Sequence, residues 1–380
     1  MTTRSETVSE CTEAELVARI QHHLPPAPDW LLTGIGDDAA VVDPERNRVE
    51  VLTVDAIVEG VHFDRAFVPP EAIGHRALAV NLSDVAAMGA SPRVALLSMA
   101  LPAALLLDDF DRIVTGLAAL AQRYRVHVAG GNLTRSPGPL MIDVTLIGSV
   151  KRRQALLRSG AKPGDHVYLS GTIGAAAAGL GLLKEVVSRR SSVVSQQSPV
   201  TSQQSPVTSR ESHLRDARAF ERTTDDLRRA TDDRRLMTAY LRPEPRVRLG
   251  VLLSRNRAAH ACMDLSDGLT DAVHQIACAS GVGMIIDWDA LPIDPAARTW
   301  FEERGLDPLA AAMTAGDDYE LLVVSHSRGG RRLAGVVRHA QTPLTRIGTC
   351  TEDTAIVVRS VREGATTVTP LPRGGYGHFR

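Results

Sequence analysis

Carboxylates beside glycine or other small residues recur along this chain. One pair follows a glycine turn in Gly34-Ile-Gly-Asp-Asp-Ala-Ala40, and others occur at Asp55, at Asp84, in Asp264-Leu-Ser-Asp-Gly268 and in Gly316-Asp-Asp318. Two carboxylates about 4 Å apart repel each other by roughly 4 kcal/mol at an effective dielectric constant of about 20, and a bound cation removes that cost. A single such turn is most simply interpreted as a solvated turn before a strand. Its recurrence favours a carboxylate-lined cleft that binds cations.

The elements predicted to position these carboxylates alternate between strands and helices. For the first 150 residues we predict strands at 49–54, 94–101, 126–129 and 140–150, and helices at 70–88 and 108–124. For the remainder we predict strands at 167–170, 282–286 and 321–324, and helices at 175–187, 247–253 and 269–279. Asp55 and residues 130–135 then follow strand ends, where rigid elements commonly present a site.

Two predicted strand-to-helix junctions carry residues suited to charged ligands. Asp264 and Asp267 precede a helix, whose dipole favours negative charge at its N-terminus. Gly171-Thr-Ile-Gly174 opens another helix, and such a turn can receive a phosphate through backbone N–H groups. Because this turn lacks the Lys-Ser/Thr ending of a P-loop, a simple strand-to-helix turn is an equally good interpretation.

Composition narrows the class of protein. The chain has 380 residues, enough for two domains, and 44% are hydrophobic, as in globular proteins. Its net charge of −1 gives no reason to expect a nucleic-acid or membrane partner. The four cysteines form no CxxC pair, which argues against zinc and disulfides and fits a reducing cytoplasm. The polar N-terminus does not resemble a signal peptide, and no apolar run reaches the ~18–20 residues that span a bilayer.

Residues 188–235 differ in composition from the rest of the chain. A polar heptad at 195–201 is repeated at 202–208, and Thr224-Asp-Asp-Leu-Arg-Arg-Ala230 is followed by the near-copy Thr231-Asp-Asp-Arg-Arg235. The first block has too little apolar surface to offset its ordering entropy. We therefore predict a disordered insertion whose second block is a solvated helix, with a partner-binding arm as the alternative.

Six motifs in order resemble thiamine-monophosphate kinases, from about Gly34 to Phe379 and outside the insertion. The motifs are Gly34-Ile-Gly-Asp-Asp-Ala-Ala40, Val58-Glu-Gly-Val-His-Phe63, Ala77-Leu-Ala-Val-Asn-Leu-Ser-Asp-Val-Ala-Ala-Met-Gly-Ala90, Ser159-Gly-Ala-Lys-Pro-Gly-Asp165, Asp264-Leu-Ser-Asp-Gly-Leu269 and Asp318-Tyr-Glu-Leu321. The resemblance implies ATP-dependent phosphorylation of thiamine monophosphate to thiamine diphosphate, with Mg²⁺. It also implies the α/β (α+β) fold of aminoimidazole ribonucleotide synthetase.

That fold has two domains and dimerises. The resemblance implies an N-terminal ATP- and Mg²⁺-binding domain at residues 1–150, whose four-stranded sheet pairs with its copy in a homodimer. A C-terminal α/β sandwich at 151–380, carrying the insertion, follows it. No nucleic-acid or membrane partner is expected.

The resemblance also assigns roles position by position. Metal-site residues would be Asp38, Thr53, Asp55, Asp84, Asn132, Asp264 and Asp267, of which Asp84 and Asp267 would be catalytic. ATP contacts would be Gly131, Asn132, Arg158 and Ser266. Acceptor-substrate contacts would be His62, Asp317 and Tyr376. Asp37 is expected to orient the turn instead of binding metal.

Three departures from the family pattern affect this site. Val54 replaces a threonine, Asn132 replaces an aspartate, and Asp317 replaces a glutamate that is longer by one methylene. The number of bound ions and the affinity are therefore left open. Two alternatives remain at this point: another ATP-using enzyme of the same fold, and a nucleotide-binding protein with impaired activity.

Overall fold

The computed structural model describes residues 6–195, 216–362 and 365–375. Its first part is built around a four-stranded sheet. The elements up to residue 151 are α1 (Glu13–His23), β1 (Leu31–Thr33), β2 (Val41–Val42), β3 (Arg48–Val58), α2 (Pro70–Ala87), β4 (Ser91–Pro102), α3 (Leu107–Tyr124), β5 (His127–Ser136) and β6 (Met141–Lys151). The sequence explains the start of α1, because Thr12 and Glu15 form a capping box.

The four-stranded sheet has the order β3-β6-β4-β5 and one covered face. Its β4–β5 pair is parallel and its other pairs are antiparallel. Residues such as Leu97, Val144 and Leu146 alternate toward α2 and α3 in the largest hydrophobic core. The opposite face, which we call the outer face, leaves Leu52 at 64% and Val54 at 58% exposure. Part of this face is covered, because Leu31 and Val42 pack there with Val94, Ala129 and Ile147.

The second part contains a seven-stranded mixed sheet in the order β13-β12-β9-β11-β7-β10-β8. Its strands are β7 (His166–Ser170), β8 (Ala261–Asp264), β9 (Gly283–Asp287), β10 (Leu321–Ser325), β11 (Leu344–Thr351), β12 (Ile356–Arg362) and β13 (Ala365–Pro370). Its helices are α4 (Ala175–Ser195), α5 (Asp216–Leu241), α6 (Val247–Arg255), α7 (Leu269–Ser280), α8 (Pro295–Glu302), α9 (Pro308–Thr314) and α10 (Gly330–Ala340). In the described ranges, no helix is long and apolar enough to cross a membrane.

Two strands are longer than the sequence pattern predicted. β3 continues to Val58, so Asp55 lies inside the strand instead of at its end. β5 continues through the glycines to Ser136, so residues 130–135 are not a loop. In both cases pairing with a neighbouring strand continues along the strand, with one register shift at Ala95 and Leu96 of β4, and this pairing overrides the weak strand propensity of glycine and aspartate.

Both ends of the predicted insertion at 188–235 are helical, which for the second repeat block agrees with the predicted helix. Helix α4 continues to Ser195, and α5 begins at Asp216 and includes the whole second repeat block. The end of α5 is bound to the fold, because Arg235 Nη2 donates to Asp294 Oδ1 at 2.8 Å and Leu236 is buried. The repeated polar block from 196 to 208 lies outside the described residues.

Helices α2 and α3 approach closely because each has a glycine at the contact. A Cβ atom added to Gly74 would lie 1.8 Å from the carbonyl oxygen of Ile113, and one added to Gly116 would lie 2.0 Å from that of Glu71. Both distances are far below any contact that two atoms tolerate. The helix pair that carries Asp84 therefore depends on these two glycines.

We expect Gly74→Ala to lower the free energy of unfolding by about 1–3 kcal/mol, because the added methyl group must push α2 and α3 apart. Urea unfolding of both forms measures this. Gly335→Ala is the matched control, since Gly335 lies in α10 with open space around it. There the higher helix propensity of alanine should raise stability by about 0.5–1 kcal/mol. Equal effects at the two sites would contradict the packing argument.

Candidate active site

A cavity of about 640 Å³ lies between the two sheets and gathers most of the predicted site residues. On the side of the first part, its walls come from β3, the loop after β3 and α2. On the side of the second part, they come from α4, α5, the β8–α7 junction and residues 315–319. Arg158, in the connection between the two parts, completes the lining. The predicted site residues that line it are Asp55, His62, Asp84, Arg158, Asp264, Ser266, Asp267 and Asp317. Residues far apart in sequence thus meet in one place.

Four carboxylates crowd one end of this cavity. Asp264 is 3% exposed, and burial together with the negative charge of Asp84 raises its pKa to about 7. Asp55 reaches solvent, yet burial in the cavity wall and the charges of Asp84, Asp143 and Asp267 raise its pKa to about 6. Burial also raises the pKa of Asp84. The cluster is therefore electrostatically unfavourable by itself, as expected of a site that receives cations.

Hydrogen bonds fix two of these carboxylates. Ser83 Oγ donates to Asp264 Oδ2 at 2.7 Å, and Thr53 Oγ1 donates to Asp84 Oδ2 at 2.5 Å. Ser83 and Asp84 are consecutive on α2. Ser83 hydrogen-bonds this helix to β8, and Asp84 hydrogen-bonds it to β3. Each bond favours the ionised form of its acceptor and partly offsets the effect of burial on the pKa.

Arg158 supplies positive charge to the same end. It lowers the pKa of both Asp84 and Asp264, against the larger effect of burial. Its Nη1 donates to Gln275 Oε1, and Gln275 Nε2 in turn donates to Asp271 Oδ2 at 2.5 Å. Helix α7 therefore orients the guanidinium group, which has the geometry to bind a phosphate with two hydrogen bonds.

The other end of the cavity is built from aromatic and apolar side chains with a few polar groups. His62 and Tyr240 are linked, because the Tyr240 hydroxyl donates to the His62 carbonyl at 3.1 Å. Asp317 accepts at Oδ1 from Arg76 Nη2 at 3.0 Å and from the Tyr319 hydroxyl at 2.9 Å. The apolar lining here is Ile57, Val61, Val80, Ala176, Ala177 and Leu180.

Residues 317–320 each bind a different part of the fold. Asp317 contacts α2 through Arg76, while both oxygens of Asp318 accept from the Gly174 N–H at 3.0 and 3.1 Å. Glu320 accepts from Arg246 Nε at 2.8 Å and from Ser170 Oγ. Because the Asp318 carboxylate occupies the Gly174 N–H, the structure favours the simple-turn interpretation of residues 171–174 over a phosphate site.

Four of the described site residues predicted from the sequence lie outside the cavity lining. Among the residues described, those that do not line the cavity are Asp38, Thr53, Gly131 and Asn132. Thr53 is nevertheless hydrogen-bonded to Asp84, which does line it. Asp38 is exposed in its turn, where Asp37 Oδ1 accepts from the Asp38 N–H at 2.8 Å, as expected for Asp37. Tyr376 lies outside the described residues.

Strand register places Asn132 far from the carboxylate cluster. A row across the outer face runs from Ala56, which lines the cavity, through Asp143 and Ser98 to Asn132. Three strand spacings separate its ends, or about 14 Å. Gly131 pairs with Leu97 in the adjacent row. Within one chain, the expected ATP and metal roles of these two residues are therefore not brought together with the cluster.

Several residues of the site were missed from the sequence. Asp143 lies on β6 beside Ala56 and raises the pKa of Asp55. Arg76, Tyr240 and Lys184 also line the cavity. The predicted strand at 140–150 contains Asp143, but only the pairing of β6 with β3 shows that it approaches the cluster.

The cluster suits Mg²⁺ that is shared with phosphates. All of its ligand atoms are oxygens, the type that Mg²⁺ prefers. In the parts of the chain that the structure describes, no three His, Cys, Asp or Glu side chains converge as a ready metal cage. Mg²⁺ would not require such a cage, because the ion usually keeps several waters and uses only one or two carboxylates together with substrate phosphates.

Comparison with known proteins identifies the family. Models of the AIR synthase related protein match in two parts, the N-terminal domain over residues 36–150 and the C-terminal domain over 162–360. The thiamine-monophosphate kinase of Bacillus subtilis (strain 168) is 33% identical over 354 residues, which cover 91% of this chain and 93% of that protein. The chain belongs to the thiamine-monophosphate kinase family.

Solved structures of thiamine-monophosphate kinases share the fold. The enzyme from Stenotrophomonas maltophilia K279a is 34% identical, with a TM-score of 0.71 over 91% of this chain and 94% of that one. A structure described as AaThiL complexed with AMPPCP and TMP is 28% identical, with a TM-score of 0.66 over 100% of both chains. The predicted two-domain α/β fold and the resemblance to thiamine-monophosphate kinase are thus confirmed.

Proposed function

We propose that this chain transfers the γ-phosphoryl group of ATP to thiamine monophosphate, giving thiamine diphosphate and ADP. The observation that carries the proposal is the cavity itself. It places four carboxylates and Arg158 at one end and a pocket with Asp317 and His62 at the other, in a chain of this family. A donor and an acceptor that both carry phosphates would meet between the two ends.

The acceptor needs no deprotonation by the protein. A phosphate monoester has a second pKa of about 6, so its oxygen is largely ionised at neutral pH. A new phosphorus–oxygen bond forms to this oxygen as the bond between the γ-phosphorus and the bridging oxygen of ATP breaks. The protein's contribution is then positioning and charge stabilisation, and we assign no general base.

We propose the following division of roles. Asp55, Asp84, Asp264 and Asp267 would hold Mg²⁺, with Asp84 and Asp267 nearest the chemistry. When bound, Mg²⁺ supplies charge neutralisation between the phosphates of the two substrates. Arg158 and Ser266 would bind ATP, whereas His62, Asp317 and Tyr376 would bind the acceptor.

A coupled assay of ADP release tests this function directly. We expect ADP formation that requires both Mg²⁺ and thiamine monophosphate, together with thiamine diphosphate among the products by chromatography. Thiamine without its phosphate is the matched control, because it offers a neutral hydroxyl group in place of the ionised phosphate oxygen. Absence of the diphosphate at saturating ATP and Mg²⁺ would falsify the proposal.

We also propose that the protein acts as a homodimer through the outer face of the four-stranded sheet. The exposed Leu52 and Val54 support an apolar interface there. A two-fold axis parallel to the strands would lay β5 of one copy over β3 of the other. Gly131 and Asn132 would then approach the partner's carboxylate cluster, which gives their proposed roles a physical basis.

We expect Leu52→Lys to produce monomers with reduced activity, because β3 would lie under the partner's β5 and a charged side chain there opposes its burial. Sedimentation velocity and the ADP assay measure the two effects. Leu306→Lys is the control, since Leu306 is 48% exposed on another surface. A Leu52→Lys variant that stays dimeric would rule out this face as the interface.

Asn132→Asp tests whether this position belongs to a metal site. If it does, the neutral amide binds one ion weakly, and the restored carboxylate should move the Mg²⁺ midpoint of the rate to lower concentration. The attraction gained between unit charges at about 4 Å is roughly 4 kcal/mol at an effective dielectric constant of about 20, before screening by solvent. Mg²⁺ titrations at fixed ATP compare the two forms. A midpoint that is unmoved or higher would remove Asn132 from the metal site.

We further propose a cytoplasmic location. All four cysteines are free, and Cys262 and Cys350 are buried. Thiols that persist without pairing fit a reducing compartment.

A further inference from the structure

Arg76 is a buried cation that the proposed chemistry does not use. It lies on α2 with only 2% of its side chain exposed, and it lines the cavity. Its Nη1 donates to the Tyr240 carbonyl and its Nη2 donates to Asp317 Oδ1 at 3.0 Å. The guanidinium group also lies 4.3 Å from the centre of the Tyr240 ring. One side chain thus joins α2, the end of α5 and the loop that carries Asp317.

The Asp317 loop needs such support. Asp317 and Tyr319 have φ angles of 69° and 50°, in the left-handed region that residues other than glycine seldom adopt. Both residues direct hydrogen bonds to the same place, because Asp317 Oδ1 accepts from Arg76 and from the Tyr319 hydroxyl. Within the described residues, Asp317 Oδ2 makes no hydrogen bond. The carboxylate is held by one oxygen while its other oxygen is available in a cavity wall.

The surroundings of Asp317 suit a flat ring. Tyr240, Val61, Val80 and Leu180 line the same cavity. Arg76 and Asp317 form a pair with no net charge, so this wall has no excess charge of its own. A carboxylate oxygen fixed in such a wall is a hydrogen-bond acceptor for an N–H donor on the ring.

We propose that Arg76 is the positioning residue of the acceptor pocket. It fixes Asp317 so that Oδ2 accepts a hydrogen bond from the amino group on the acceptor's pyrimidine ring. This inference rests on the proposed function, because it concerns how the same pocket selects thiamine monophosphate. The pocket should therefore discriminate against an analogue in which oxygen replaces that ring amino group, since the analogue places a hydrogen-bond acceptor opposite Oδ2 where the natural ring places a donor.

The test compares the two ligands in three proteins by calorimetry without ATP and by steady-state kinetics. The wild-type protein should bind thiamine monophosphate at least about tenfold more tightly than the oxo analogue, the ratio expected for one hydrogen bond to a charged group. Arg76→Lys keeps the charge but cannot donate two directed bonds from one planar fork. It should lose most of this ratio and raise the KM for thiamine monophosphate while leaving the KM for ATP unchanged, and the melting temperature should fall because Arg76 also joins α2 to the end of α5.

Asp317→Asn gives independent evidence and Arg112→Lys provides the control. Asparagine can turn its NH₂ group toward the cavity, so Asp317→Asn should bind the oxo analogue as well as the amino compound. Arg112 makes a similar two-bond contact to Glu71 on α2, at 2.8 and 3.0 Å, outside the cavity. Arg112→Lys should keep the wild-type ratio.

The failures are distinguishable. Absence of phosphoryl transfer by the wild-type protein would refute the proposed function, and the calorimetric ratio would still decide the role of Arg76. A wild-type protein without discrimination, or an Arg76→Lys variant with the full wild-type ratio, overturns the inference.

Discussion

Replacing Asp84 or Asp267 by Asn should lower kcat by about 100-fold or more, the scale on which electrostatic contributions to a transition state are lost. Each carboxylate is expected to neutralise phosphate charge through Mg²⁺ where the two substrates meet. The amide keeps an oxygen ligand and the size of the side chain, but it removes the negative charge. Steady-state rates at saturating ATP, thiamine monophosphate and Mg²⁺ provide the measurement.

Stability separates this effect from damage to the fold. Burial raises the pKa of Asp84, so its charge opposes folding at neutral pH. Removing that charge should leave the melting temperature unchanged or higher, at the same time as activity is lost. Asp108→Asn is the matched control, because Asp108 lies on α3 with 80% of its side chain exposed. Near-normal rates in both the Asp84 and Asp267 variants would mean that the chemistry lies elsewhere.

Replacing Arg158 by Gln should raise the KM for ATP by about tenfold or more, because a charge-assisted pair of hydrogen bonds to phosphate is lost. Arg158 also lowers the pKa of Asp84 and Asp264. Its removal therefore leaves the carboxylates more strongly repelled, and a higher Mg²⁺ concentration should be needed for half-maximal rate. Both quantities come from the same ADP assay.

Arg331→Gln is the control, because it removes one positive charge from the exposed surface of α10. A variant at 158 that behaves like this surface variant would show that Arg158 does not contact ATP. If Gln275→Ala produced part of the same change, the orientation of Arg158 by Gln275 would be supported as well.

The sequence predicted the carboxylate end of the site better than the acceptor end. Asp84, Asp264 and Asp267 were identified because each belongs to a local pattern, either a helix or a strand-to-helix junction. Arg76 gave no such signal. Its partners Tyr240 and Asp317 are 164 and 241 positions away in the sequence. Hydrophobic periodicity indicates local structure and does not predict contacts between residues so far apart in the sequence.

The boundaries that failed did so for a related reason. The predicted strand ends at Asp55 and Gly130 rested on composition. The observed ends depend instead on pairing with other strands, and the paired residues at these ends are up to about 90 positions apart in the sequence. The part of α5 in the second repeat block was predicted as a solvated helix, because its residues are polar. Its last two turns are held by contacts such as Arg235 with Asp294, which become visible only once the chain has folded.

The tetrapeptide Asp317-Asp-Tyr-Glu320 has a consequence for how this pocket could diversify. Its residues bind α2, the start of α4, the cavity wall and Arg246, so a change at any one of them disturbs a different element. A lineage that acquired a new acceptor would be expected to keep Asp318 and Glu320, which do not line the cavity, and to vary Asp317 or the apolar wall. Val61 and Leu180 line the same cavity without such ties, and they offer the shorter evolutionary route to altered specificity.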